Sequence, residues 1–341
     1  MMDEETTAAE TPASAVFVPP SVQDHQDSLL SGRTYAHYST VPERVTRNSE
    51  SDLGTPCVLG VDEAGRGPVI GPMIYGVYYL PIEIQHSLLA TTYHFDDSKV
   101  LTPVVRANLM KAVCQADTDL FQSSGWAIKS LSAQDIGAGM MKNGGSYNLN
   151  AQAMDATVDL IRGVIDRGVN VREIYVDTIG KPSIYQKKLQ LIFPTIKITV
   201  EKKADSLFPC VSAASVVAKV TRDVSCETLL EAYVRTVDTS DEAAVNWGSG
   251  YPSDARCVSW MKSAIDPVWG FGNECRFSWG TVKDMFEQKG GPAKRTDWPE
   301  DGDDDNMRLS HYFGANGTPV PRTETDELRA WFGTGVGLEA F

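Results

Sequence analysis

The chain has 341 residues, of which 42% are hydrophobic, enough for a sizeable core in one large domain or two average ones. A net charge of −14 argues at first against a nucleic-acid partner, but residues 1–56 carry −6, residues 291–341 carry −5, and residues 57–290 carry only −3. Eight bases and two acids give residues 181–222 a local charge of +6, so binding to phosphate is not excluded.

The sequence does not predict a membrane or secreted protein. No stretch reaches the roughly 18 consecutive apolar residues that a membrane span needs. Residues 1–11 are acidic and lack the apolar stretch of a secretory signal. The six cysteines include no CxxC pair, which disfavours a zinc cluster or a disulfide framework. We therefore expect an intracellular chain with reduced cysteines.

Residues 1–52 are rich in Ser, Thr, Pro and acids and have no periodic apolar pattern, which predicts a disordered acidic tail. After this segment, short runs of β-branched and aromatic residues predict five strands. These strands cover residues 57–61, 74–80, 126–131, 174–177 and 196–201.

Helical patterns separate the later strands. Apolar spacing and end signals predict helices over residues 147–167, 182–192 and 207–234. The order of elements predicts an α/β core with a mixed sheet over residues 55–240. Two further regions follow. Residues 241–290 are predicted to form short helices that complete a substrate site, and residues 291–341 are predicted to be an acidic linker and tail.

Acidic residues stand where three predicted strands end. Asp62 and Glu63 end the first strand, Asp177 ends the fourth, and Asp205 follows the fifth. Strand ends meet at one edge of an open α/β sheet, so we expect these side chains to lie together. Clustered carboxylates repel one another unless a cation neutralises them, and oxygen ligands suit Mg²⁺ or Mn²⁺. Two such ions could support phosphodiester cleavage; any one acid alone is more simply a helix cap or a solvated strand end.

Two glycine-rich segments are candidates for substrate contact. Residues 65–68, Gly-Arg-Gly-Pro, would let a sugar-phosphate approach the backbone, and Arg66 could meet a phosphate; a tight turn is the alternative. Tyr251, within Gly-Ser-Gly-Tyr-Pro at residues 248–252, could stack on a sugar and hydrogen-bond a 2′-hydroxyl. Ordinary packing is the alternative for Tyr251.

Six blocks, in order, resemble the signature of type 2 ribonuclease H. They are Gly60-Val-Asp62-Glu63-Ala-Gly-Arg66-Gly-Pro68, Asp97-Ser-Lys99, Tyr147-Asn148-Leu-Asn150, Val176-Asp177-Thr-Ile-Gly180, Lys203-Ala-Asp205 and Gly248-Ser-Gly-Tyr251-Pro252. The resemblance covers roughly residues 55–285. The Tyr-Asn-Leu-Asn block and the long C-terminal extension look closer to the catalytic subunit of the eukaryotic enzymes than to the compact bacterial enzyme.

The resemblance implies an RNase H-like fold, with a mixed five-stranded sheet flanked by helices and a small helical C-terminal extension. It implies that Asp62, Glu63, Asp177 and Asp205 are catalytic and bind two Mg²⁺ or Mn²⁺ ions. The implied substrate contacts are Gly65, Arg66, Gly67, Lys99, Asn148, Lys181, Lys202 or Lys203, and Tyr251. The family hydrolyses the RNA strand of RNA/DNA hybrids and cuts 5′ of single ribonucleotides in duplex DNA, leaving 3′-hydroxyl and 5′-phosphate ends.

The resemblance also implies partners and a nuclear location. The eukaryotic enzyme is a heterotrimer, so accessory subunits B and C are expected. Candidate docking residues are three tryptophans and one apolar helix face in the tail: Trp260, Trp269, Trp279, Leu328, Trp331 and Phe332. Packing of that helix face against the chain's own domain is the alternative.

The chain departs from the family pattern at two positions. From Ala133 onward it lacks the Pro-Asn expected after Ser132, and Met154 precedes Asp155 where His is expected. Substrate contacts near both positions are in doubt, whereas the four carboxylates match.

Other classes of function fit less well. The glycines of residues 65–71 lack the GxGxxG spacing of a dinucleotide site. The acidic run 301–305 resembles a calcium loop, but Asn306 and Tyr312 replace the required Gly and Glu.

A non-catalytic nucleic-acid-binding protein with an RNase H-like fold is the main alternative. It would need the basic patch but not four clustered acids, which repel phosphate without metal.

Overall fold

The computed structural model describes residues 17–46, 54–95, 101–141, 147–178, 180–236 and 246–287. They contain a six-stranded sheet in the order β1-β4-β3-β2-β5-β6. The strands are β1 (Tyr35–Tyr38), β2 (Cys57–Ala64), β3 (Met73–Pro81), β4 (Gly125–Leu131), β5 (Val171–Asp177) and β6 (Lys197–Glu201). Pairs β1/β4, β4/β3 and β3/β2 are antiparallel, whereas β2/β5 and β5/β6 are parallel. The predicted mixed sheet is confirmed.

The sheet has one strand more than the five predicted, because β1 lies in the segment predicted to be disordered. Residues 17–46 also form two short helices, α1 (Pro20–Gln23) and α2 (Gln26–Leu30). β1 pairs with β4 from Tyr35 opposite Ser130 to Tyr38 opposite Ala127. This polar segment is ordered by docking onto the edge of the sheet, which its local composition does not reveal. The rest of the predicted tail, residues 1–16 and 47–52, lies outside the described residues.

The three predicted helices are confirmed with small shifts at their ends. They are α6 (Leu149–Asp166), α7 (Pro182–Ile192) and α8 (Pro209–Thr236). The other helices are α3 (Pro103–Cys114), α4 (Asp119–Ser123), α5 (Ala133–Met140), α9 (Ala255–Ala264) and α10 (Gly280–Glu287). Short 3₁₀ helices cover Glu43–Val45, Ile82–Ile84 and Ala204–Ser206, and a π-helix covers His86–Thr92.

Helices cover both faces of the sheet. Because side chains alternate along a strand, Val58 packs with α8 on one face while Leu59 packs with α6 on the other. Helix α8 lies so close to the sheet that a Cβ at Gly60 would come within 2.3 Å of the α8 backbone, and one at Gly76 within 2.8 Å. Glycine at both positions lets α8 pack directly on β2 and β3.

A third apolar cluster joins α9 and α10 to the turn between β2 and β3. Buried Trp247, Trp260 and Phe271 belong to this cluster together with Val69 and Ile70 of the turn. The residues from 246 to 287 therefore support that turn. None of the six cysteines forms a disulfide. Of the helices in the described ranges, none has the length and apolarity needed to cross a bilayer.

Candidate active site

Strand pairing brings the predicted acids to one edge of the sheet. In the parallel pair β2/β5, Val61 lies opposite Val176, so Asp62 and Asp177 follow at neighbouring positions. Asp177 is itself opposite Glu201, the last residue of β6. Asp205 lies just beyond β6, in the 3₁₀ helix. Three parallel strands thus end together at this edge.

Backbone hydrogen bonds hold two of these carboxylates. The Ala204 N–H donates to Asp177 Oδ1 at 3.0 Å, which ties the end of β5 to the segment that contains Asp205. The Glu63 N–H donates to Asp62 Oδ1 at 2.8 Å. Asp62 and Asp205 are buried, with 5% and 3% of their surface exposed.

The acids interact electrostatically. Burial raises the pKa of Asp62 well above its usual value; the charges of Glu63 and Asp177 raise it further, and a hydrogen bond with Ser215 opposes the shift. The pKa of Glu63 is also raised, to about 7, mainly by burial. The charge of Arg66 opposes this shift, and the charge of Asp177 adds to it. A bound cation would relieve this repulsion, and an all-oxygen donor set suits Mg²⁺ or Mn²⁺.

The carboxylates share an edge without forming a complete coordination sphere. Across the ranges that the structure describes, no three His, Cys, Asp or Glu side chains are placed to hold one ion. The four-carboxylate metal site therefore stays a prediction.

A cavity of about 580 Å³ opens beside the acids, between the edge of the sheet and helices α6 and α7. It contains five of the residues predicted to act on or bind substrate: Glu63, Arg66, Asn148, Asp177 and Lys181. Met154, one of the departures from the family pattern, also lines the cavity. Ala133, the other departure from the family pattern, is the first residue of α5.

Arg66 is held by two partners that the sequence analysis did not single out. Its Nη2 donates to Asn150 Oδ1, and its Nη1 donates to Tyr75 Oη at 3.5 Å. Asn150 stands two residues after Asn148, whose side-chain oxygen caps α6 by accepting from the Asn150 N–H at 3.0 Å. The Tyr-Asn-Leu-Asn block therefore both begins a helix and fixes an arginine.

The two predicted substrate-binding segments are in contact. A Cβ at Gly67 would lie 3.1 Å from Cε1 of Tyr251, so the ring rests against this glycine. Tyr251 is 42% exposed, so its ring is not part of the buried core. Gly65 has φ +81°, a backbone conformation that favours glycine.

The other candidates are spread over a wider surface. Lys181 precedes α7 at the cavity rim, and Lys202 and Lys203 are exposed in the turn after β6. Lys99 lies outside the described residues.

Of the three tryptophans proposed for docking, Trp260 is fully buried, so that prediction was wrong for Trp260. Trp279 contacts the turn at residue 67, and Trp269 is exposed. Leu328, Trp331 and Phe332 lie outside the described residues.

Comparison with known proteins gives consistent results. The family model described as ribonuclease HII matches residues 59–282. The chain is 50% identical over 327 residues to the A subunit of ribonuclease H2 from Neurospora crassa, covering 95% of this chain and 97% of that one. It is 39% identical over 269 residues to the A subunit of ribonuclease H2 from Homo sapiens, covering 79% and 86% of the two chains. The fold of this chain is similar to the crystal structure of ribonuclease H2 from Pyrococcus horikoshii OT3, with a TM-score of 0.54 and 29% sequence identity. The match covers 67% of this chain and 96% of that one.

Proposed function

Because the chain belongs to the ribonuclease HII family, and is thus a nuclease of the ribonuclease H type, we propose a specific reaction for it. It hydrolyses the RNA strand of RNA/DNA hybrids and cuts 5′ of single ribonucleotides embedded in duplex DNA. The supporting observation is one cavity that contains Glu63, Asp177 and Arg66 together. Acids next to a fixed arginine suit hydrolysis of a phosphodiester.

Asp62, Glu63, Asp177 and Asp205 are the residues that would hold two divalent ions, Mg²⁺ or Mn²⁺. When bound, such ions make water a stronger nucleophile and stabilise the leaving oxygen. The protein supplies the position of these donors at the ends of three parallel strands. It also buries Asp62 and Asp205, which strengthens the electrostatic interactions of these two carboxylates.

Arg66 and Lys181 provide the positive charge for the substrate. Asn150 and Tyr75 hold the Arg66 guanidinium in place, so little side-chain entropy is lost when a phosphate binds. Lys181 is exposed at the rim of the cavity and could contact a neighbouring phosphate. Lys202 and Lys203 extend the positive surface beyond β6.

Gly67 and Tyr251, which are in contact, form the proposed recognition site for the ribonucleotide. The exposed ring can stack on the sugar, and its hydroxyl can hydrogen-bond the 2′-hydroxyl, which DNA lacks. We propose that residues 55–240 form the catalytic core and that residues 241–290, which carry Tyr251, complete the substrate site.

We further propose that the protein is the catalytic member of a heterotrimer with accessory subunits B and C and acts in the nucleus. Its relatives bear the name of the A subunit of ribonuclease H2. A docking point is the turn after α9, where Asp266 Oδ1 accepts from the N–H groups of Val268 and Trp269 at 2.8 Å. This turn presents Val268 and Trp269 with 76% and 82% of their surface exposed. Residues 291–341 would add a further docking region.

The alternative that the sequence leaves open is a non-catalytic nucleic-acid-binding protein with an RNase H-like fold. Such a protein would bind a hybrid duplex without cutting it.

A cleavage assay separates the two candidates. The full chain, alone and with accessory subunits, is incubated with a duplex that carries one ribonucleotide, in Mg²⁺, in Mn²⁺ and in EDTA. We expect a cut 5′ of the ribonucleotide with either ion, none in EDTA, and none in an all-DNA duplex. Binding without cleavage under every metal and subunit condition would favour the non-catalytic candidate, and full cleavage in EDTA would contradict the metal site.

A further inference from the structure

A fully buried arginine lies under the turn that joins β2 to β3. The guanidinium of Arg276 donates to Gly65 O at 2.6 Å, to Arg66 O at 3.1 Å, and to Gly71 O at 2.9 and 3.0 Å. No carboxylate in the described ranges forms an ion pair with it. Backbone carbonyls of the turn therefore solvate a buried cation, an arrangement that fixes both partners.

Trp279 completes this support. Its indole N–H donates to Gly67 O at 3.0 Å, and its ring lies 4.8 Å from the Arg276 guanidinium carbon. Side chains three residues apart thus hold three consecutive carbonyls, those of residues 65, 66 and 67. We call Arg276 and Trp279 the turn clamp.

The same turn is bonded to the loop that carries Tyr251. The Val69 N–H donates to Gly250 O at 2.9 Å, and the Gly71 N–H donates to Glu274 O at 2.7 Å. The turn, the Tyr251 loop and the segment of the clamp are therefore one hydrogen-bonded unit. A shift of the clamp would move Gly67 relative to the Tyr251 ring.

The clamp also decides where the N–H groups of the turn point. In a trans peptide, the carbonyl of one residue and the N–H of the next point in opposite directions. The carbonyls of Gly65 and Arg66 point at Arg276, so the N–H groups of Arg66 and Gly67 point away from it. Neither N–H has an acceptor among the described residues. The turn thus offers two oriented donors to a ligand.

We infer that Arg276 and Trp279 are positioning residues for recognition of the ribonucleotide: they aim the Arg66 and Gly67 N–H groups at the sugar hydroxyl beside Tyr251. This inference rests on the proposed function. Arg276 is fully buried and cannot reach substrate, so it acts only through the turn. Loss of a clamp donor should impair recognition of a single ribonucleotide more than cleavage of a long hybrid, which has ribonucleotides at every position.

Trp279→Phe and Arg276→Lys test this inference against Trp260→Phe. The two tryptophan substitutions remove the same atoms from the same apolar cluster, but the Trp260 indole does not donate to the turn. For each variant, kcat and KM are measured on a duplex with one ribonucleotide and on a long RNA/DNA hybrid, together with Tm.

Trp279→Phe should lower kcat/KM on the single ribonucleotide roughly tenfold, the effect of one lost hydrogen bond, and on the hybrid by less than about threefold. Arg276→Lys should change the ratio of the two values more, because a lysine ammonium lacks the planar fork with which the guanidinium makes four hydrogen bonds to three carbonyls. Trp260→Phe should lower Tm without changing this ratio. An unchanged ratio in both clamp variants, or an equal change in Trp260→Phe, would overturn the inference.

Hydrogen exchange separates this inference from the proposed function. In Arg276→Lys, the Val69 and Gly71 amides should exchange at least tenfold faster than in the unsubstituted chain, while the amides of β2 stay protected. Unchanged exchange at both residues would refute the clamp whatever the activity. If the unsubstituted chain cuts neither substrate, the proposed function fails, and the exchange result still decides whether the clamp holds the turn.

Discussion

The acidic edge and the turn clamp differ in how far they are formed before any ligand binds. At the edge, strand pairing places the carboxylates, burial and the neighbouring acids raise the pKa of Asp62 and Glu63, and no three described side chains are placed to share an ion. In the turn, Arg276 and Trp279 satisfy the carbonyls and leave two N–H groups oriented. The proposed catalytic part thus gathers acids whose charges a cation would neutralise, whereas the proposed recognition part is held by hydrogen bonds within the protein.

Asp62→Asn should have the largest effect. We expect at least a thousandfold loss of turnover, because a neutral amide replaces a charged ligand, and an unchanged or higher Tm, because a buried and repelled charge is gone. Steady-state cleavage and thermal unfolding measure the two effects. Near-normal turnover would exclude Asp62 as a ligand, and a large fall in Tm would contradict the view that its charge is repelled.

Tyr251→Ala should act on recognition. Loss of the ring should reduce cleavage at a single ribonucleotide by tenfold or more, because one stacking contact usually contributes about 1–3 kcal/mol. The loss on long hybrids should be smaller. Tyr251→Phe is the matched control, since it keeps the ring and removes the hydroxyl. Equal losses on both substrates in Tyr251→Ala would show that this residue does not read the junction.

The stability of the metal-free chain should depend on pH. The pKa of Glu63 is about 7 in the folded chain and near 4.5 without the fold, so between these values only the folded state keeps the proton. Stability is therefore greatest at the acidic end of this window and falls as pH rises toward 7. Calorimetry should show Tm falling by several degrees, Mg²⁺ should restore it, and Glu63→Gln should flatten the profile. A rise in Tm across the window would disprove the raised pKa of Glu63, which burial causes and the charge of Asp177 increases.

Trp269→Ala should have the smallest effect on the chain by itself. Its side chain is 82% exposed, so Tm and the activity of the isolated chain should stay the same. Its affinity for accessory subunits should fall severalfold in a binding titration. Leu191→Ala removes an equally exposed apolar residue from α7 and is the control. The same loss of affinity in both variants would count against a docking role for the turn after α9.

Local patterns predicted much of the fold and part of the site. The five predicted strands exist, since alternating and β-branched runs are buried in the sheet, and the three predicted helices begin and end close to their capping and stop signals. Acids at the ends of three strands share an edge because parallel strands end together. The prediction failed for β1, α1 and α2, which depend on docking to β4 and α8.

The mixed sheet, the edge where Asp62 and Asp177 meet and the glycine turn could all be predicted from local patterns, because strand periodicity, end signals and glycine are local properties of the chain. The contact of Tyr251 with Gly67, and the support of Gly65 by Arg276 from 211 positions away, depend on how distant segments pack in the folded chain. An arginine has the same local signature on a surface and under a turn. Its role depends on which carbonyls the folded chain brings to it, and that is a matter of packing between distant segments.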